Sequence, residues 1–77
     1  MQKTKIILNS VASVRDFVQK VIVLEYEVDL VQGRYVVDAK SIMGICALDT
    51  LTPILVEAHT ECADAFFESI KDYIVED

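Results

Sequence analysis

Between residues 24 and 30, apolar and acidic side chains alternate without a break: Leu24, Tyr26, Val28 and Leu30 against Glu25, Glu27 and Asp29. A period of two puts successive side chains on opposite faces of a strand, so the pattern predicts one dry face and one wet face. A sheet built on such a strand needs a cover on one side only. Gln32 and Gly33 supply a turn, and Tyr35, Val36 and Val37 supply a return strand, so the segment reads as a short-looped hairpin.

The cover is found in segments with a helical period. Val11, Val14, Phe17, Val18 and Val21 recur at helical spacing, with Arg15, Asp16, Gln19 and Lys20 on the other side and Asn9 and Ser10 in front as turn and cap residues. This predicts an amphipathic helix of about three turns, held by packing because β-branched residues lower its intrinsic propensity. Residues 3–8 read as a first strand. Ser41 opens a short helical segment through Leu48, residues 49–53 form a loop, and residues 54–58 read as a fourth strand. A last helix is expected from Thr60 as cap and Glu61 as first residue. Its stripe would be Cys62, Phe66, Ile70 and Ile74, widened by Ala63, Phe67 and Tyr73, with Glu61, Asp64, Glu68 and Asp72 in solvent. The order β-α-β-β-α-β-α in 77 residues predicts a single α+β domain over 1–77, with helices on one face of an antiparallel sheet and Glu25, Glu27 and Asp29 on its open face.

Charge narrows the partners. The net charge is −6; residues 1–40 hold six Lys/Arg and five Asp/Glu, while residues 41–77 hold one Lys and eight Asp/Glu. An acidic second half disfavours nucleic-acid backbones and anionic membranes. Lys3, Lys5, Arg15 and Lys20 leave a modest basic patch near the start. The apolar run after the charged first residues is too short for a signal peptide, and nothing reaches membrane-spanning length. The expected compartment is the cytoplasm, with Cys46 and Cys62 reduced.

The stretch Ala39-Lys40-Ser41-Ile42-Met43-Gly44 resembles the segment around the regulatory serine of HPr proteins, the histidine-containing phosphocarriers of the bacterial sugar phosphotransferase system. The upstream hairpin, the short helix, the strand and the acidic last helix with Ala63-Asp64-Ala65 fit the same family, so the resemblance covers nearly the whole chain. It implies an HPr-like open-faced β-sandwich with strand order 1-4-2-3 and three helices on one face. Those proteins relay a phosphoryl group on a histidine at the start of the first helix, steadied by a nearby arginine. In many Gram-positive bacteria a dedicated kinase phosphorylates their regulatory serine.

The family's carrier pattern is Gly-(apolar)-His-Ala-Arg-Pro. Counting back from Ser41 places Ser10 at the histidine, Ala12 at the arginine and Ser13 at the proline. A phosphohistidine carries a labile, high-potential phosphoramidate; a serine phosphoester does not, so Ser10 cannot serve the same relay. His59 is the one histidine and does not match the carrier position. The reading is therefore a non-enzymatic, HPr-like regulatory or protein-binding module without cofactor or metal, its partners being cytosolic proteins of the phosphotransferase or carbon-control system and a serine kinase.

Each candidate site has a plainer alternative. Ser41 is a phosphorylation site at a helix N-terminus, or only a cap. Ile42, Met43 and Ile45 are a docking patch, as the resemblance implies, or core. Ser10 and Ser13 bind an anion, or Ser10 only caps. Cys46, His59 and Cys62 match no zinc spacing; Cys62 is expected as a buried thiol and His59 as a solvent or capping residue. Two other functions stay open: a phosphocarrier using a non-standard site, and a homo-oligomer joined through the exposed edge at residues 34–38.

Overall fold

The structure, a computed structural model, describes residues 1–75. Its order is β1 (Gln2–Ile6), α1 (Val11–Ile22), β2 (Val28–Gln32), β3 (Tyr35–Asp38), α2 (Ile42–Cys46), β4 (Ile54–Ala58) and α3 (Asp64–Ser69), followed by a 3-10 turn over Lys71–Tyr73. The sheet has the order β1-β4-β2-β3, antiparallel throughout, as the resemblance implied. The fold is the α+β, HPr-like open-faced β-sandwich.

Strand register sorts the side chains. Thr4, Val56, Leu30 and Val37 form one row across the inner face, and Ala58 pairs with Val28 in the next. Ile6, Val28, Leu30, Ile54, Val56 and Ala58 are fully buried beneath Phe17 and Val21 of α1, Ile45 of α2, and Phe66 and Ile70 of the last helical segment. Phe17 and Phe66 join α1 to α3 with ring centroids 6.2 Å apart, a separation typical of favourable aromatic pairs. On the outer face, Lys5, Leu55, Val31 and Val36 make one row, and Lys3, Glu57, Asp29 and Asp38 make another.

Four sequence expectations shift. The first strand stops at Ile6, because Leu8 donates instead to the Thr50 carbonyl in the loop before β4. The alternation from residue 24 does not begin the strand. β2 starts at Val28, because β4 ends opposite it at Ala58 and one last bond, His59 N–H to the Glu27 carbonyl, closes the ladder. Leu24 and Tyr26 still pack on the core from an irregular lead-in, and Glu25 and Glu27 lie off the sheet, leaving Asp29 on its open face. The last helix begins at Asp64 behind Ala63, not at Thr60 and Glu61. Thr60 N–H bonds to the Ala58 carbonyl, and its hydroxyl accepts from Cys62 N–H, so the chain turns there before the helix can start. The phase moves with it: Ala63 is buried and Cys62 is exposed, which overturns the buried thiol expected at 62.

After the 3-10 turn the chain lies along the outer edge of β1. Ile7 N–H bonds to the Tyr73 carbonyl, Val75 N–H bonds to the Lys5 carbonyl, and Ile74 bridges Ile6. The Tyr73 hydroxyl donates to Asp16 on α1, and the Lys20 ammonium reaches the same carboxylate at 2.8 Å. Lys20 first and Tyr73 second hold the Asp16 carboxyl below its ordinary value. The bond to Asp16, then partial burial, push the Tyr73 phenol up to about 12.

Tyr73 gives the fold a pH signature. A raised folded-state value means the bond contributes fully below the ordinary tyrosine value of 10.0 and is lost as pH rises through about 12. At the acid end, the lowered Asp16 value means its contribution holds above 3.8 and is lost as pH falls below it. In an ultraviolet titration of the folded protein, one phenol should ionise near 12, Tyr73→Phe should remove that step, and unfolding in denaturant should return it to the ordinary range. A step unchanged by the substitution would place the high phenol elsewhere.

Candidate functional site

Ser10, Ala12 and Ser13 open α1, where a helix presents backbone donors to an anion. Here two hydroxyls occupy part of that capacity. Ser10 Oγ accepts from Ser13 N–H at 3.0 Å, and Ser13 Oγ accepts from Ser10 N–H at 3.1 Å while donating to the Ser10 carbonyl at 2.8 Å. This is a reciprocal capping box with serine in place of the usual acidic or amide partner. Val14 N–H then makes the first helical bond to the Ser10 carbonyl. Of the donors in the first turn, Val11 and Ala12 N–H are left unpaired within the described residues. Ser13 is buried, and the methyl of Ala12 is exposed and carries no charge.

A cleft of about 330 Å³ lies beside this terminus, lined by Asn9, Ser10, and Val11 and Val14 of α1, by Cys46 at the end of α2, and by Leu48, Thr50 and Leu51 of the loop between α2 and β4. The lining contains no Lys, Arg or His. The bond from Leu8 N–H to the Thr50 carbonyl fastens the two loops that form it. The terminus therefore offers two free backbone donors beside an apolar wall, with no cation next to them.

His59 sits at the other end of the sheet. It follows Ala58, which pairs with Gln2, whereas Ser10 follows the Ile6–Ile54 end. Its Nε2 lies 2.8 Å from Asp29 Oδ2 on the open face, so it is a paired surface residue and caps no helix. Cys46 and Cys62 are free and exposed, and among the described residues no group of three or more His, Cys, Asp or Glu side chains is arranged to hold a metal ion.

Ser41 caps α2, its Oγ accepting from Gly44 N–H at 3.1 Å, and its own side chain is exposed. Gly44 is tucked against the hairpin: a Cβ there would lie 3.2 Å from Val37 Cβ and 3.4 Å from Ser41 Oγ. The three apolar residues behind Ser41 divide. Met43 is 85% exposed and Ile42 44%, while Ile45 is fully buried. Ile45 therefore leaves the expected contact surface, since its helical position turns it onto the core. Val11, expected on the apolar stripe of the first helix, is instead strongly exposed because it lies at the helix start beyond the core, and Leu51, also strongly exposed, was not singled out in the sequence. Only the fold brings them beside the cleft, one from a helix start and one from a loop forty residues on.

No protein-family model and no curated protein matches the chain. Among solved structures, "HPr-C-His from Thermoanaerobacter tengcongensis" superposes with a TM-score of 0.76 at 19% identity, covering 94% of this chain and 89% of the other. The likeness establishes a shared HPr-like fold. No helix among the described residues is long and apolar enough to cross a membrane.

The reciprocal cap should be measurable. Replacing Ser10 with Ala removes one cap acceptor and should lower unfolding free energy by about 1 kcal/mol, within the usual 0.5–2 range for N-cap losses. Denaturant midpoints of the two proteins would show it, and an unchanged midpoint would mean that Ser13 alone caps the helix.

Proposed function

We propose that this protein is a non-catalytic, HPr-like regulatory module that binds partner proteins through the cleft at the start of α1 and the exposed side of α2, whose last residue, Cys46, lines that cleft. What most supports this is the Ser10–Ser13 cap. At the position that would have to accept phosphorus there are two hydroxyls, each bonded to the other serine's backbone, with no imidazole and no cation in the cleft. A carrier must take a phosphoryl group from one protein and yield it to another, so the bond holding it must be labile. Serine makes a stable ester, and Ala12 offers nothing to balance the charge of a phosphate.

The remaining surface favours protein contact. Ile42 and Met43 project beside Ser41, and Val11 and Leu51 flank the cleft. Exposed apolar side chains grouped in this way are a common feature of contact sites. The partners are cytosolic proteins of the phosphotransferase or carbon-control type, recognised through this apolar surface. Ser41 is the control point. Its hydroxyl is exposed, and a phosphate there would add a dianion next to Ile42 and Met43 in an already acidic half of the chain.

Two labelling reactions test the reading. Phosphoenolpyruvate and the general phosphotransferase enzyme should leave the protein unlabelled; acid-labile label would restore a carrier role. An HPr serine kinase with ATP should add acid-stable label that Ser41→Ala abolishes. Label that survives this substitution would remove Ser41 as the control point.

A further inference from the structure

The two edges of the sheet differ. The outer edge of β1 is occupied by residues 73–75, whereas β3 carries no further strand among the described residues. β3 has no proline, bulge or inward-pointing charge against edge pairing, only its shortness and the charge of Asp38. Tyr35 is 63% exposed and Val36 is 62% exposed.

The backbone of β3 has a definite polarity. Ala39 N–H bonds inward to the Val28 carbonyl, and residues 35–38 pair with 32–29 in unbroken register. Residues 35, 37 and 39 therefore bond to β2, and the intervening peptide groups point away from it. The outward groups are the Arg34 carbonyl, the Val36 N–H and carbonyl, and the Asp38 N–H. The tight turn makes this strand tip compact: Gly33, at φ 59°, takes the positive-φ position, and no other residue has positive φ among the described residues.

We propose that this edge pairs with the same edge of a second copy, antiparallel and centred on Val36. In that register Val36 faces Val36 and the pair exchanges two hydrogen bonds. Each Asp38 N–H faces an Arg34 carbonyl, adding two more. Tyr35 faces Val37, and Arg34 faces Asp38 at both ends. The sequence Arg34-Tyr35-Val36-Val37-Asp38 is thus complementary to itself in charge as well as in backbone bonding.

The charge match answers a fault in the isolated sheet. Glu57, Asp29 and Asp38 stand directly opposite one another across three strands, an arrangement that costs energy. Lys3 reaches Glu57 at 3.5 Å and His59 reaches Asp29 at 2.8 Å, but no cationic side chain pairs with Asp38 among the described residues. Asp38 instead accepts from Lys40 N–H. Arg34 has no ion pair there either. The second copy brings Arg34 to Asp38 and ends the acidic row with a cation, on both sides of the two-fold axis. The net charge of −6 on each copy opposes association, but at ordinary salt that repulsion is screened beyond about 8 Å while the Arg34–Asp38 contact is not.

Sedimentation equilibrium over a range of protein concentration tests the dimer. The unmodified protein should show a reversible monomer–dimer equilibrium. Val36→Pro removes an outward N–H without touching the β2 ladder, and should weaken the dimer at least tenfold while circular dichroism stays unchanged. Arg34→Asp and Asp38→Arg should each be monomeric alone, because like charges then meet, and should associate as a one-to-one heterodimer when mixed. A protein that stays monomeric at every concentration overturns the proposal, as does a dimer that Val36→Pro leaves intact. Failure of the two charge variants to associate on mixing overturns the register.

Discussion

The sheet depends on a strand that arrives late. β4 lies between β1 and β2, and those two strands do not pair with each other. Residues 54–58 therefore supply a neighbour to both, and their inner face, Ile54, Val56 and Ala58, is fully buried. Until this segment is inserted, β1 has no strand beside it in the sheet and both edges of the β2–β3 hairpin are open. Two strands alone are marginal in water, whereas four with a helical cover can bury a continuous apolar layer. The loop bonds from Leu8 to Thr50 and from Gln32 to Asp49 hold the approach to β4 in place. The same fastening shapes the cleft beside α1, so the apolar wall at the helix start is a by-product of seating the central strand.

What a helix terminus can do depends on what already satisfies it. The start of α1 has the general form of an anion site, but Ser10 and Ser13 turn two of its donors inward. A site meant to hold phosphate needs free donors and a cation, and it has to tolerate the ligand's departure. One meant only to begin a helix needs local partners. The serine pair meets the second requirement, and this links the chemical argument against a phosphoryl relay to the stability of the helix itself.

Much of this was legible in the residues. Element order and the resemblance around Ser41 led to the sheet order, and caps at Ser10 and Ser41 were readable because a hydroxyl before an apolar period has a local cause. Residues 54–58 were bounded correctly, since Pro53 and His59-Thr60 flank a short apolar run. The failures have a common origin in long-range pairing. Residues 24–27 alternate like a strand, yet the length of β4 decides where the ladder begins. Thr60 looked like a cap, but its backbone was engaged by Ala58, which delayed the helix and rotated Cys62 out of the core. The candidate surface was half legible: Ile42, Met43 and Ile45 share one apolar run, and only the position of the core separates Ile45 from the others. Val11 fell on the helical apolar period and so read as core, and Leu51 gave no signal, because nothing local tells a helix start that a distant loop will stand beside it.

The imidazole of His59 occupies the unhelixed side of the sheet, bonded to Asp29 and next to the row that ends at Asp38. As the chain has one histidine, its ring protons give resonances that need no assignment. Nature has thus placed a magnetic label on the bare face, far from the cleft. Events on the outer sheet can be followed through it in an untagged sample.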